Sequence, residues 1–389
     1  MAGELPRRFR RIIAAVLAPA AALAASLSPG AAAAQGQEVD FHRLLQAPDA
    51  REVGQVLREL SARNVFPDRV EVVATRRFPI AGHGFEARFI RHRVDGFVHC
   101  GVALVPRGAA PGSLAGVVDL PGVRWDFPTR NLSEWQDYGR RALGRYIPRF
   151  VVLAPCLRGS AVEAAGFRIE AEGDPQDAFD GAATDTVAFV HAVRDVVPEL
   201  DFSRLAVFGW SRGGTVALLA ASRSRIFKAA VSFAGPMDFF REMNRSDAWA
   251  DALRAAYVSG QAHSWEHQQL GFFVYGRDRL PLGALRARLV ASSPLYFSER
   301  LPPVRIHQGR EDRSVAAGNA LRMREAFQRA HSTHLHQTII HEGWGHDLLE
   351  NAEAMTEAGA FLWRHIEASG AGTRAGASRT AARAEATAR

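Results

Sequence analysis

The chain changes its hydrophobic rhythm twice. Early on, Val53, Val56, Leu57 and Leu60 recur at i, i+3, i+4 and i+7 behind an Asp49-x-x-Glu52 capping box, which predicts a short amphipathic helix. Extended segments are then predicted at 70–78, 85–93 and 97–105, with Asp95-Gly96 as a hairpin signal between the last two. From residue 116 onward the rhythm becomes an alternation. Short apolar runs at 116–120, 150–154, 205–208, 229–233, 304–307 and 334–341 read as buried strands. Helical spacing between them predicts helices at 185–197, stopped by Pro198, and at 213–221, 317–330 and 348–366. Strands alternating with helices predict an α/β fold with a mostly parallel sheet covered by helices on both faces. The stretch 239–301 breaks the alternation, setting Trp249, Tyr257, Trp265 and Tyr275 among charges, and is predicted to be a helical lid inserted into the sheet order. No internal repeat is visible.

The ends follow other rules. Residues 1–34 place Arg7, Arg8, Arg10 and Arg11 before an alanine-rich apolar run and Ala32-Ala33-Ala34, the pattern of a secretory signal peptide. Pro19 and Pro29 interrupt that run, so no stable membrane anchor is expected, and Arg7-Arg8 suggests a twin-arginine export route to the periplasm or medium. Residues 369–389 hold no large apolar side chain and read as a disordered tail. The two ends account for most of the formal +7 charge, because each carries four arginines and one glutamate, leaving the body at +1. So balanced a body argues against a nucleic-acid partner. Lys228 is the sole lysine, which leaves a lysine Schiff base or phosphate site one candidate residue. Cys100 and Cys156 are too few for a zinc cluster and read first as buried thiols on strands.

The chemistry concentrates where strands end. Gly209-Trp210-Ser211-Arg212-Gly213 lies between an apolar strand and a helix, the setting of a nucleophile elbow in which small flanking residues let the chain turn sharply. A serine hydroxyl needs a base to take its proton and an acid to hold that base. Downstream, strand 304–307 runs into Gly309-Arg-Glu311-Asp312, and strand 334–341 runs into Glu342-Gly-Trp-Gly-His346. Asp312, with Glu311 as rival, is the acid, and His346, with His341 as rival, is the base. The Ser, Asp, His order fits the α/β-hydrolase arrangement. Two donors are needed for the oxyanion. The Arg212 N–H is one, and Gly122 or Val123 after the first parallel strand supplies the other, since Pro121 cannot donate. Trp125, Trp210 and Arg124 are candidate substrate contacts. Arg212 and Arg124 either meet a substrate carboxylate or pair with Asp119 or Glu342. His263-x-x-Glu266-His267 and the His331, His334 and His336 group are weak metal motifs, and no metal is expected.

These motifs resemble the prolyl oligopeptidase family of α/β-hydrolases across about residues 116–366. Gly-Trp-Ser211-Arg-Gly-Gly is similar to the elbow of its dipeptidyl peptidase branch, and Arg158-Gly-Ser to the end of a family strand. Ser293-Pro294 is similar to the segment preceding the family's acid strand. Gly309-x-x-Asp312-x-x-Val315 has the family spacing, and that selects Asp312 over Glu311. The resemblance implies an eight-stranded sheet ordered 1-2-4-3-5-6-7-8 and a serine hydrolase, most often a peptidase, that acts on a small molecule or short peptide without a cofactor. It also implies that the strand holding Cys100 runs antiparallel beside the one ending at Cys156, so a disulfide stands beside the free-thiol reading. The chain then divides into a signal peptide (1–34), an N-terminal helix with antiparallel strands (35–110), a catalytic domain (111–368) and the tail. Leu120 and Pro121 stand where many peptidase members carry an oxyanion tyrosine, Gln308 separates His307 from Gly309, and only residues 35–110 are available where the family's propeller usually precedes this domain. A carboxylesterase or dienelactone-hydrolase-like enzyme is therefore the alternative within the fold, and a non-catalytic binding protein the alternative outside it. Oligomeric state is not readable.

Overall fold

The computed structural model describes residues 40–122, 129–134, 141–175, 177–242 and 281–367. The expected signal peptide, the tail, most of the expected lid (243–280) and the His263 motif within it lie outside the described residues.

Helix α1 (Ala50–Ala62) starts at the predicted box. Glu52 N donates to Asp49 Oδ1 at 2.8 Å, and Asp49 N donates back to Glu52 Oε2 at 3.1 Å. Three long antiparallel strands follow, β1 (Asp68–Ile80), β2 (His83–Val94) and β3 (Phe97–Pro106), the last two joined at Asp95-Gly96, both with positive φ. Then come β4 (Leu114–Leu120), β5 (Thr129–Asn131), β6 (Phe150–Pro155), β7 (Ala161–Ala164), β8 (Phe167–Glu170), α2 (Asp180–Val193), β9 (Leu200–Trp210), α3 (Arg212–Arg223) and β10 (Phe227–Phe233). After the undescribed segment come α4 (Leu282–Ser292), β11 (Val304–Gly309), α5 (Gly318–Arg329), β12 (His336–His341) and α6 (352–367).

Among the described residues the main sheet has nine strands in the order β1-β2-β3-β6-β4-β9-β10-β11-β12. This corrects the count of eight: the expected order is present, and β1 extends its antiparallel edge through a long hairpin with β2. β5, β7 and β8 form a second, three-stranded sheet that short, weakly apolar segments did not announce. Alternation along the strands sends Val117, Val152, Ala206, Phe208 and Val231 to the face that also receives Leu348, Met355, Leu362 and Trp363. α3 packs on β9 and β10 from the other face. Side chains that alternate between two covered faces explain why these strands read as continuous apolar runs.

Three boundaries moved for identifiable reasons. α2 begins at Asp180, earlier than the apolar spacing suggested, because Asp177 Oδ1 accepts from Gly181 N at 2.8 Å and caps the turn. The helix expected over 348–366 is broken into a 3₁₀ turn at Leu348–Glu350 and α6, whose start is held by Asn351 Oδ1 accepting from Ala354 N at 3.0 Å. α4 falls inside the span assigned to the lid, yet Leu285, Leu289 and Val290 are fully buried and the helix packs on α1, so it belongs to the body. Arg286 of α4 fastens this contact. It grips Glu52 through two bonds of 2.6 and 2.7 Å and donates to the carbonyls of Arg43, Leu44 and Gln46, closing the short helix Phe41–Leu45 at its carboxyl end.

Cys100 on β3 and Cys156 just after β6 form a disulfide, which decides between the two readings of the cysteines. It crosses from the antiparallel strands to the parallel body over a separation of 56 residues. Closing a loop of that length restricts the unfolded chain, so reduction or a Cys100→Ala/Cys156→Ala pair is expected to cost about 2–4 kcal/mol in urea unfolding.

Three buried histidines make acid destabilising. Burial pulls His92 down to about 3, with neighbouring His99 adding to the effect, and pulls His336 down to about 4. His307, enclosed between Phe233 and His341, is also held well below its ordinary value. All three are neutral in the folded protein, whereas the unfolded chain takes up protons below about 6.5. Stability is therefore complete above that pH and falls as pH drops toward 4, by up to about 1.4 kcal/mol per unit for each histidine. Urea midpoints measured between pH 7.5 and 4.5 should fall in that direction, and Phe at position 92 should flatten the slope.

Candidate active site

The site lies along the carboxyl edge of the parallel strands. Register puts Leu120 beside Gly209, Trp210 beside Phe233, Phe233 beside His307, and Gly309 beside His341. The loops that follow β4, β9, β11 and β12 therefore open on the same side, where ligands of parallel sheets bind.

Ser211 sits between β9 and α3 with φ 56° and ψ −123°, a conformation that L-residues adopt only under constraint. Main-chain bonds supply that constraint: Ser211 N donates to Phe233 O at 2.8 Å, and Gly214 N to Ser211 O at 2.9 Å. Neither neighbouring glycine could carry a side chain. A Cβ at Gly209 would strike the Gly213 carbonyl, and one at Gly213 would strike the Leu120 carbonyl. The small residues of the motif thus let the turn fold on itself and press against the end of β4.

His346 lies on the loop after β12, and its Nε2 is 2.9 Å from Ser211 Oγ. Its Nδ1 is 2.8 Å from Asp312 Oδ2. The Asp312 side chain is fully buried. Its Oδ1 accepts from Ser314 N and Val315 N, both at 2.8 Å, and its Oδ2 also accepts from Gln308 Nε2 at 3.0 Å. Three donors fix the carboxylate, leaving Oδ2 aimed at the imidazole. The two loops are bound together, Arg310 N to His341 O at 2.9 Å and Glu311 N to Trp344 O at 3.0 Å. The rivals lie elsewhere: Glu311 contributes its backbone to this join, and His341 Nε2 is 2.9 Å from His307 Nδ1.

Arg212 opens α3, so its N–H has no acceptor within the helix and is available beside Ser211. Gly122 is the second expected oxyanion residue. A Cβ there would stand 3.4 Å from Ser211 Cβ and 2.5 Å from the Trp210 ring, which places the β4 loop directly against the elbow. Val123, Arg124 and Trp125 lie outside the described residues. Trp210, a candidate substrate contact, also has a positioning role. Its Nε1 donates to the His346 carbonyl at 2.9 Å, its ring lies 5.1 Å from the imidazole, and Gly122 covers it, so it holds the histidine loop in position. Gln308 is the residue that sequence reasoning missed, having noted it only as an intrusion between His307 and Gly309. A fully buried amide in an apolar strand just ahead of the acid loop was the available signal; it donates to Asp312, Gly309 O and Val315 O. His336 stacks on Phe327 at 4.4 Å and packs into the body. Among the described residues no helix is long and apolar enough to cross a membrane.

Comparison with known proteins adds the following. Residues 149–369 match the prolyl oligopeptidase family. Over 92 residues the chain is 38% identical to the hydrolase LUC6 of Fusarium sp, a match covering 23% of this chain and 20% of that protein, so the chain spans about a fifth of the curated relative's length. Acetyl xylan esterase 1 from Thermoanaerobacterium sp. superposes with a TM-score of 0.53 at 14% identity, over 85% of this chain and 99% of that one. A puromycin-hydrolyzing peptidase of Mycobacterium tuberculosis superposes with a TM-score of 0.50 at 22% identity, over 72% of this chain and 39% of the other. At such identities the two structures speak for a shared α/β-hydrolase fold.

Proposed function

The chain belongs to the prolyl oligopeptidase family and is a serine hydrolase, and from that premise we propose that Ser211, His346 and Asp312 cleave an acyl bond of a small molecule or short peptide outside the cytoplasm. The observation that carries this reading is the pair of hydrogen bonds, 2.9 and 2.8 Å, running from Ser211 Oγ through the imidazole to the Asp312 carboxylate. In the forward step His346 Nε2 takes the hydroxyl proton as Ser211 Oγ bonds to the carbonyl carbon. Asp312 holds Nδ1–H and stabilises the imidazolium. Negative charge on the carbonyl oxygen is met by the Arg212 N–H and a donor of the Gly122–Val123 backbone. Collapse expels the leaving group with the proton from Nε2. Water, deprotonated by the same imidazole, then releases the acid and restores the serine.

Peptide or amide bonds are the first reading, because this is a family of peptidases. Ester bonds are the second, and one observation favours them: Leu120 at the end of β4 and Pro121 after it bring no side-chain donor to the oxyanion, where many peptidase members of the family have a tyrosine. Esters, with better leaving groups, demand less of that hole. The Cys100–Cys156 disulfide supports an oxidising compartment and so the export reading.

The test has two parts. A fluorophosphonate should form an adduct on Ser211, and folded protein that forms none would favour a non-catalytic binding role. A panel of acyl esters against aminoacyl and peptidyl amides then separates the two readings, since turnover of esters alone would discard the peptidase.

A further inference from the structure

Arg212 follows the proposed nucleophile, and among the described residues its side chain is a charge without a counter-charge. Its Nη2 lies 3.3 Å from the Gly122 carbonyl oxygen, a single long bond for a group that carries five N–H donors. Its buried Nε has no acceptor. Among the described residues no carboxylate comes within ion-pair distance of it. The acids that the sequence offered as partners are engaged elsewhere, Asp119 with Arg130 and Glu342 with Arg310 at 2.9 Å.

The surroundings add to the imbalance. Burial, reinforced by the like charge of Arg130, pulls the Arg212 guanidinium down to about 10, so it stays protonated at neutral pH. Arg130 stands on β5 and also donates to the Asp119 carbonyl at 2.8 Å. Beside the oxyanion loop there are thus two guanidiniums and one described carboxylate. A half-buried guanidinium whose Nε has no acceptor among the described residues is favoured by a ligand that completes its bonds. A guanidinium is also a planar fork that takes a carboxylate through paired, charge-assisted bonds. Holding a loop carbonyl alone would not need a charge, since a neutral amide does the same.

We propose that the Arg212 guanidinium receives a carboxylate borne by the substrate, on either its acyl or its leaving portion, and so sets the specificity of Ser211. This rests on the hydrolase mechanism above. The preferred substrates are half-esters or acylated acids, with the anion a short distance from the scissile carbonyl. Neutral analogues of the same shape react more slowly, because they leave the guanidinium unpaired.

The experiment compares matched pairs on the whole protein. In the acyl arm, the 4-nitrophenyl monoester of adipate is set against 4-nitrophenyl hexanoate. In the leaving-group arm, the butyryl ester of 3-hydroxybenzoate is set against that of 3-hydroxybenzamide. In one arm the wild-type kcat/KM should favour the carboxylate by about 10- to 100-fold, the scale of a charge-assisted pair. That ratio should fall to about unity in Arg212→Met and Arg212→Gln and be partly kept in Arg212→Lys, which retains the charge without the fork. Because the readout is a ratio within each variant, a general loss of rate does not mimic it. A wild-type ratio near one in both arms overturns the proposal, as does an undiminished ratio in Arg212→Gln. Turnover of the neutral esters with no carboxylate preference sinks this inference alone. No turnover of any ester, with no fluorophosphonate adduct, sinks the hydrolase mechanism and this inference with it.

Discussion

Ser211→Ala is expected to lower turnover by about 10⁴- to 10⁶-fold while the protein remains folded. The substitution deletes one atom, Oγ, whose hydrogen bond is to His346 Nε2. Everything that shapes the elbow is main chain, namely Ser211 N on Phe233 O, Gly214 N on Ser211 O and the contacts that exclude side chains from Gly209 and Gly213. Alanine keeps the Cβ and accepts the same positive φ at a cost similar to serine's. The nucleophile is therefore lost and the scaffold kept. Steady-state turnover of whichever ester or amide the wild type accepts, with circular dichroism and urea unfolding, reads both halves. Activity within tenfold of wild type would end the serine mechanism, and a collapsed spectrum would show that Oγ has a structural role that its bonding does not suggest.

Asp312→Asn is expected to cost about 10⁴-fold in kcat, through a tautomer rather than a displacement. Oδ1 is bound by two backbone N–H groups, so the amide oxygen of asparagine stays there and its NH₂ replaces Oδ2. That NH₂ then faces two donors, Gln308 Nε2 and His346 Nδ1–H. Relief on the histidine side comes from moving the imidazole proton to Nε2, which leaves no lone pair toward Ser211. A variant carrying Gln308→Glu as well returns an acceptor to the cluster, yet it cannot restore the tautomer, since Nδ1 still meets an NH₂. The double variant should thus stay as slow as the single one. Recovery of rate in it would mean that Asp312 acts through charge near the site and not through its bond to Nδ1.

Much of this site was legible in the sequence because its parts are local. Ser211 announces itself by apolar strand, flanking glycines and helix spacing within seventeen residues. Asp312 and His346 each follow an apolar run that ends in a glycine-containing loop, and the family spacing from Gly309 to Val315 separated Asp312 from Glu311. What stayed hidden depends on contacts across the sheet. Gln308 looked like an irregularity because its three acceptors, Gly309 O, Asp312 and Val315 O, gather only when the loop closes over it. The bond from Trp210 to the His346 carbonyl was equally hidden, because that acceptor lies 136 residues away. β1 was seen as an extended segment, but its place as a ninth strand follows from the length of its hairpin with β2 and from no property of the strand itself. The small sheet of β5, β7 and β8 joins segments of three or four residues, too short for periodicity to register.

The grip of Arg286 on Glu52 has a consequence in time as well as in space. The two residues are 234 apart along the chain, and the carbonyls that Arg286 also binds, those of Leu44 and Gln46, are farther still. Helix α1 is among the first pieces of the described chain to leave the ribosome, yet the helix it packs on is made after seven strands of the main sheet that follow it, β1, β2, β3, β4, β6, β9 and β10. A 13-residue helix is marginal alone in water, so α1 gains its full stability only when α4 arrives. Its docking is therefore a late step, set by the closing of a very long loop rather than by the speed of helix formation.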